Sequence, residues 1–211
     1  MFLFKKRGKR GQFWYIDLMI ALFVIVVISV LFVKSIGDIV NKEKVINDLL
    51  GEGIDISNSI MSGGYLPAIG NWCATDEGRI GFVDDAKIDT KLDGTGNFDE
   101  FKNIFDRNDC VLPNDDIVNG YDKSKILLGS NVEYVVYLQD KTGSIIGGKY
   151  YGFPLGPIDP LNIGTLLGKI DSSEAPEDKV NIFRYAFLDT DNVDGEGELV
   201  RIGITVWKPT T

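Results

Sequence analysis

FWYIDLMIALFVIVVISVLFV, running from Phe13 to Val33, is the stretch on which the fold turns. Only Asp17 and Ser29 interrupt its apolar character. At about 1.5 Å per residue, a helix of that length spans roughly 30 Å, the thickness of a bilayer's hydrocarbon core. Lys5, Lys6, Arg7, Lys9 and Arg10 precede it, whereas Lys34 alone follows closely, with Asp38 behind. That bias in cations places the N-terminus in the cytoplasm and everything after Val33 outside. Trp14 and Tyr15 fall where an interfacial aromatic belt lies.

The rest of the composition narrows the chemistry. The chain has 211 residues, with 22 Lys and Arg against 31 Asp and Glu, a net charge of −9. An acidic surface is a poor partner for phosphate backbones, so no nucleic acid is expected. There is no histidine. Ser-His and Cys-His nucleophiles, His-containing zinc sites and the usual neutral-pH base are therefore excluded.

Three fates are open to the apolar segment. It is a retained signal anchor, a secretory signal cut near Ser35-Ile36-Gly37, or a helix left on the mature chain by a cut before it. Lys9-Arg10-Gly11-Gln12 ahead of a long apolar run resembles the class III signal peptides of archaeal type IV pilins and pilin-like proteins. The resemblance implies that a prepilin-type peptidase cuts after Gly11, that Gln12 becomes the first residue, and that the helix becomes the assembly core. It also implies a role for Asp17. In pilins an acid near the mature N-terminus pairs with the freed amine of a neighbouring subunit. The commonest pattern has Glu at the fifth mature position; here the fifth is Ile16 and the acid is the sixth, Asp17. An unpaired carboxylate in a bilayer costs roughly 2.5–3.5 kcal/mol on insertion scales, and pairing offsets it. The plainer alternative has Asp17 near the cytoplasmic interface, reaching water. Cleavage after Gly11 removes five of the cations and takes the charge to about −14, which favours solubility and disfavours anionic lipid surfaces.

Beyond the span, Ile36, Ile39, Val40, Val45, Ile46, Leu49 and Leu50 recur at helical spacing among charged residues, predicting an amphipathic continuation of the same helix. Gly51-Glu52-Gly53 is expected to end it, with a second short helix over Asp55–Met61 closed by Ser62-Gly63-Gly64. The chain thus divides into a leader at 1–11, a membrane and assembly helix at 12–33, a helical stalk at 34–64 and an extracytoplasmic head at 65–211. Cys73 and Cys110 lie in the head, where a disulfide is the natural outcome outside the membrane and two free thiols the alternative.

Tyr121–Gly129 predicts a short helix with a glycine stop. Asn131–Gln139 alternates as a strand, Asp140-Lys141-Thr142-Gly143 turns, and Ser144–Ile146 begins the return. Gly147–Gly164, rich in Gly, Pro and aromatics, reads as a long loop over the sheet. Ile182–Leu188 and Glu198–Trp207 read as two more strands, an antiparallel pair with one buried face formed by Val200, Ile202, Ile204 and Val206. The fold class expected is α+β: a long N-terminal helix packed on an antiparallel sheet, as in pilins. A broader resemblance, carried by Ile56-Ser57, Gly64-Tyr65, Trp72, Arg79-Ile80-Gly81-Phe82, the Tyr121–Gly129 helix and Glu198-Leu199-Val200-Arg201 with Trp207, is to archaeal membrane-anchored proteins with pilin-type leaders. It implies no particular chemistry.

Catalytic and ligand motifs do not hold together. Asp189, Asp191 and Asp194 suggest a calcium loop, but Val193 sits where the third acid belongs and Asp194 where the glycine belongs, so an acidic turn fits better. Gly143–Lys149 matches a P-loop start, yet Tyr150 replaces the magnesium-binding hydroxyl and Pro154 blocks the helix that follows. No catalytic residues and no cofactor are expected. The function expected is a pilin-like cell-surface subunit, with membrane lipid, a prepilin-type peptidase and self or related subunits as partners. A monomeric membrane-anchored binding or sensing domain is the alternative, and a secreted enzyme a distant third.

Overall fold

The computed structural model describes residues 10–64, 73, 80–84, 92–93, 97–112, 116–155, 162–174, 176–189 and 198–209. Two compact units divide the chain, Met1–Val45 and Ile46–Thr211. Helix α1, Arg10–Ile60, supplies the described part of the first unit and the opening of the second. Between Tyr15 and Val33 its large apolar side chains are exposed on every side. Val24, Ile25, Val26, Val27, Ile28 and Val30 are β-branched and only moderate helix formers in water. In hydrocarbon that preference is overridden, because every backbone N–H and C=O must be paired within the segment. Ser29 obeys the same rule, its Oγ donating to the carbonyl of Ile25 at 2.8 Å.

In the second unit α1 does not stop at Gly51-Glu52-Gly53, and no separate helix begins at Asp55; a single helix continues to Ile60. Packing overrides the glycine penalty of roughly 1 kcal/mol per residue. Leu49, Ile56 and Ile60 are buried, and Gly53 lies between them on the same stripe. A Cβ on Gly53 would stand 2.6 Å from Ile182 Cδ1 and 3.1 Å from Val206 Cγ2, so the absent side chain is what lets the helix lie close to the sheet. Arg184 fastens the contact, donating from Nε to Ser57 Oγ at 2.9 Å and from Nη2 to Asn58 Oδ1 at 3.3 Å.

The sheet against which this stripe packs is antiparallel at its centre. After α1 come β1 (Gly63–Gly64), β2 (Val83–Asp84), β3 (Leu92–Asp93), α2 (Asn97–Ile104), β4 (Cys110–Val111), β5 (Ile117–Val118), α3 (Gly120–Leu128), β6 (Glu133–Gln139), β7 (Ile145–Gly152), α4 (Ile163–Ser173), β8 (Lys179–Asp189) and β9 (Glu198–Trp207). The strand order is β1-β2-β3-β8-β9-β6-β7, with β4 and β5 forming a separate pair. The β8-β9-β6-β7 core is antiparallel throughout, and β3 joins β8 in parallel at Leu188 and Asp189. The helix-on-sheet α+β arrangement expected from the sequence is the one observed, and Cys73 and Cys110 are bonded as a disulfide.

Two local expectations are corrected. Residues 147–152 are not loop but the greater part of β7, and an unforeseen helix, α4, follows. Ile163, Leu166, Leu167 and Ile170 give α4 an apolar stripe, and Asn162 caps it reciprocally with Thr165. That helix covers the second face of the sheet over Val135, Tyr137, Ile145 and Trp207. As a result β9 is buried on both faces from Ile202 to Trp207, not on one. Gly203 belongs to this packing: a Cβ there would stand 2.3 Å from the Tyr137 ring.

Candidate functional site

The apolar helix is the first candidate. Among the described residues, one helix is long and apolar enough to cross a membrane, and none of its most apolar window is buried in the protein. Asp17 is exposed on this helix, the one carboxylate between Tyr15 and Val33. Gly11 and Gln12 lie in its opening turns, ahead of the exposed apolar run. A helix apolar all round needs a non-aqueous surrounding on all sides. Bilayer lipid or neighbouring apolar helices meet that need.

The head offers polar features that are spent on structure. Tyr121 donates to Glu133 Oε2, Lys125 Nζ donates to Glu133 Oε1 at 2.7 Å, and the Tyr134 N–H donates to Tyr121 Oη at 3.2 Å. Burial, with the Glu133 hydrogen bond and charge adding to it, pushes the Tyr121 phenol upward. Burial likewise pushes Tyr134 up, against the opposing hydrogen bond with Ser124 Oγ at 2.5 Å. Both phenols stay protonated at neutral pH and lock α3 to β6. Asp140 accepts from Thr142 N at 2.8 Å, Thr142 Oγ1 at 2.6 Å and Ser144 N at 3.0 Å, and these bonds hold its carboxyl below the usual range while closing the β6–β7 turn.

Open depressions among the described residues include two. One, of about 280 Å³, lies between that turn and Tyr185, Leu199 and Arg201. The other, of about 540 Å³, runs from Asn47, Asp48, Glu52 and Asp55 on α1 to Asn131 and Lys208. Among the described residues no three His, Cys, Asp or Glu side chains converge as metal ligands. Of the calcium-loop acids, Asp189 ends β8, and Asp191 and Asp194 lie outside the described residues.

One surface escaped the sequence reading. On the second face of the sheet α4 leaves β8 uncovered, and Phe183, Tyr185 and Phe187 stand 41%, 67% and 54% exposed. Across the ladder they face Gly203, Arg201 and Leu199. Arg201 stacks its guanidinium 4.8 Å above the Phe183 ring and donates from Nε to Gln139 Oε1 at 2.7 Å. The alternation of Ile182–Leu188 was legible, but which of its faces another element covers depends on α4. In comparisons with known proteins, no family model, no curated protein and no solved structure matches the chain.

Proposed function

We propose that this chain is a pilin-like cell-surface subunit. In this reading it inserts with its N-terminus inside and its head outside, and a prepilin-type peptidase cuts between Gly11 and Gln12. The retained helix then packs with copies of itself or related subunits into a type IV pilus-like filament or complex. The observation that carries the reading is the all-round exposure of Tyr15–Val33, against the deep burial of Leu49, Ile56 and Ile60 on the same helix. The cation bias ahead of Phe13 supplies the orientation.

Asp17 supplies the register. A carboxylate alone in lipid and a free amine alone in lipid are each costly; brought together between subunits they compensate one another. Conversion of Asp17→Asn is expected to reduce filament or complex yield at least several-fold while membrane insertion is unchanged, measured by shear fractions against carbonate-resistant membrane content. Unchanged yield would remove the pairing role. Co-expression with a prepilin-type peptidase tests processing: the product is expected to lose residues 1–11 by mass, and a chain that keeps them contradicts the reading. The depression beside Arg201 favours a second reading, a monomeric anchored binding head. Retention of a small molecule by the full chain in native mass spectra, with no higher assembly, would select it.

A further inference from the structure

On β9, Arg201 stands between Gln139 of β6 and Tyr185 of β8, its direct cross-strand neighbours. Gln139 is buried and bonded at both ends of its amide. It donates from Nε2 to the Gly143 carbonyl at 2.9 Å and accepts from Arg201 Nε at 2.7 Å. The Phe183 ring centre lies 4.8 Å from the guanidinium carbon. These two contacts fix the guanidinium plane while using one of its five N–H donors. Covering the Phe183 ring needs only the stack; the buried Gln139 adds a fixed direction, and such pre-organisation lowers the entropy lost on binding. The Nη1 and Nη2 donors meet no acceptor among the described residues. Arg201 lines the depression of about 280 Å³ beside the β6–β7 turn, and the exposed Lys141 lines it too. Among the described residues neither cation has a carboxylate partner. Asp140 is the acid among the lining residues, and its Oδ1 already accepts from Thr142 N, Thr142 Oγ1 and Ser144 N. Two unpaired cations thus share a depression with a carboxylate engaged inside its own turn, on a chain whose net charge is −9.

We infer that this depression binds a carboxylate carried on a sugar-sized ring, that is, a uronic acid residue. The free Nη1–Nη2 edge of Arg201 presents two parallel N–H donors at the spacing of a carboxylate's two oxygens. Lys141 adds a second positive charge beside it. The ring is argued from Tyr185 and Leu199, 67% and 48% exposed, which line the same depression. Their apolar surface beside the guanidinium suits the C–H face of a pyranose, and the Tyr185 phenol and Lys141 ammonium are donors for its hydroxyls. At about 280 Å³ the depression falls just below the roughly 300–1,000 Å³ of drug-sized pockets, which sets the ligand at one ring per site. The site is open to water, so its charge pairing is partly screened, and affinity is modest and falls with salt. It uses no residue of the apolar helix. A filament subunit and a monomeric anchored head would both carry it.

Saturation-transfer NMR titration of the full chain in detergent at low salt tests it with three probes. Methyl galacturonoside carries both ring and charge, its methyl ester keeps the ring without the charge, and acetate keeps the charge without the ring. The galacturonoside is expected to bind saturably, at least about ten-fold tighter than either of the others. Arg201→Lys keeps the charge and loses the planar donor edge, and is expected to weaken binding at least about five-fold. Lys141→Ala and Tyr185→Ala alter exposed side chains, and each is expected to weaken it about two- to five-fold with the thermal midpoint unchanged. Tyr185→Ala is expected to leave acetate binding as it was. Absence of saturable binding to the parent chain overturns the proposal, as does equal binding of the ester. Equal affinity in all three variants overturns it too. Acetate binding as tight as the galacturonoside would mark a bare anion site and overturn the sugar assignment. Failure of processing at Gly11 would sink the pilin-like reading and leave these titrations unchanged.

Discussion

Helix α1 has two parts, and they are built differently. From Tyr15 to Val33 its large apolar side chains are exposed on every side. From Ile46 to Ile60 one stripe is buried, while Asp48, Glu52 and Asp55 border an open depression. Both parts are helical for opposite reasons. In the first, a medium without water forces backbone pairing within the segment. In the second, two glycines weaken the helix and the sheet beneath Gly53 holds it in place. High hydrophobicity alone does not distinguish the two; the absence or presence of a buried stripe does.

The contrast is sharpest at matched leucines. Leu49→Ala is expected to cost the head about 2–5 kcal/mol, because a fully buried side chain leaves a cavity. Leu22→Ala, on the exposed run, is expected to leave head unfolding within about 0.5 kcal/mol of the parent. Chemical denaturation of both in the same detergent measures the difference, and equal losses would erase the distinction. A charge reverses the ranking. Ile25→Arg is expected to penalise insertion by about 2.5–3.5 kcal/mol and shift chain from membrane to soluble or degraded fractions, with little change in head stability. Full membrane retention of that variant would mean the segment is not a span.

The glycines of the second part sharpen the comparison at finer scale. Gly51 faces open space, so Gly51→Ala is expected to stabilise the head by up to about 1 kcal/mol through helix propensity. Gly53→Leu is expected to destabilise it by about 1–3 kcal/mol or more, because the new side chain meets Ile182 and Val206. The same sign for both, read from thermal midpoints, would contradict the packing account. The smallest effect is at the β6–β7 turn. The Asp140 carboxyl is held below its ordinary 3.8 in the folded chain, so its stabilising contribution is present above that value and fades as pH falls through the folded value. The stability difference between the parent and Asp140→Asn is expected to be constant from about pH 5 to 8 and to shrink below about pH 4. A difference that grows on acidification would reverse the sign.

Much of this architecture was legible because local signals agreed with one another. The Tyr121–Gly129 helix, the Asn131–Gln139 strand with its Asp140–Gly143 turn, and the β8–β9 pair each combine the right period with the right punctuation. Glycine misled where packing sets its role. Gly51 and Gly53 read as a stop but lie inside α1, and Gly164 and Gly168 mask α4, whose stripe and Asn162–Thr165 cap were both present in the chain. The oxidised cysteine pair followed from compartment and count. The exposure of Phe183, Tyr185 and Phe187 did not, because it depends on where α4 lies on the second face of the sheet.

The N-terminus of the native protein, read by intact-mass and terminal-peptide spectrometry of membrane and shear fractions, tests the central claim most directly. The account predicts a chain that starts at Gln12 and keeps the entire run to Val33. A mature chain that starts after Val33, or one that still carries Met1 through Gly11, would contradict it.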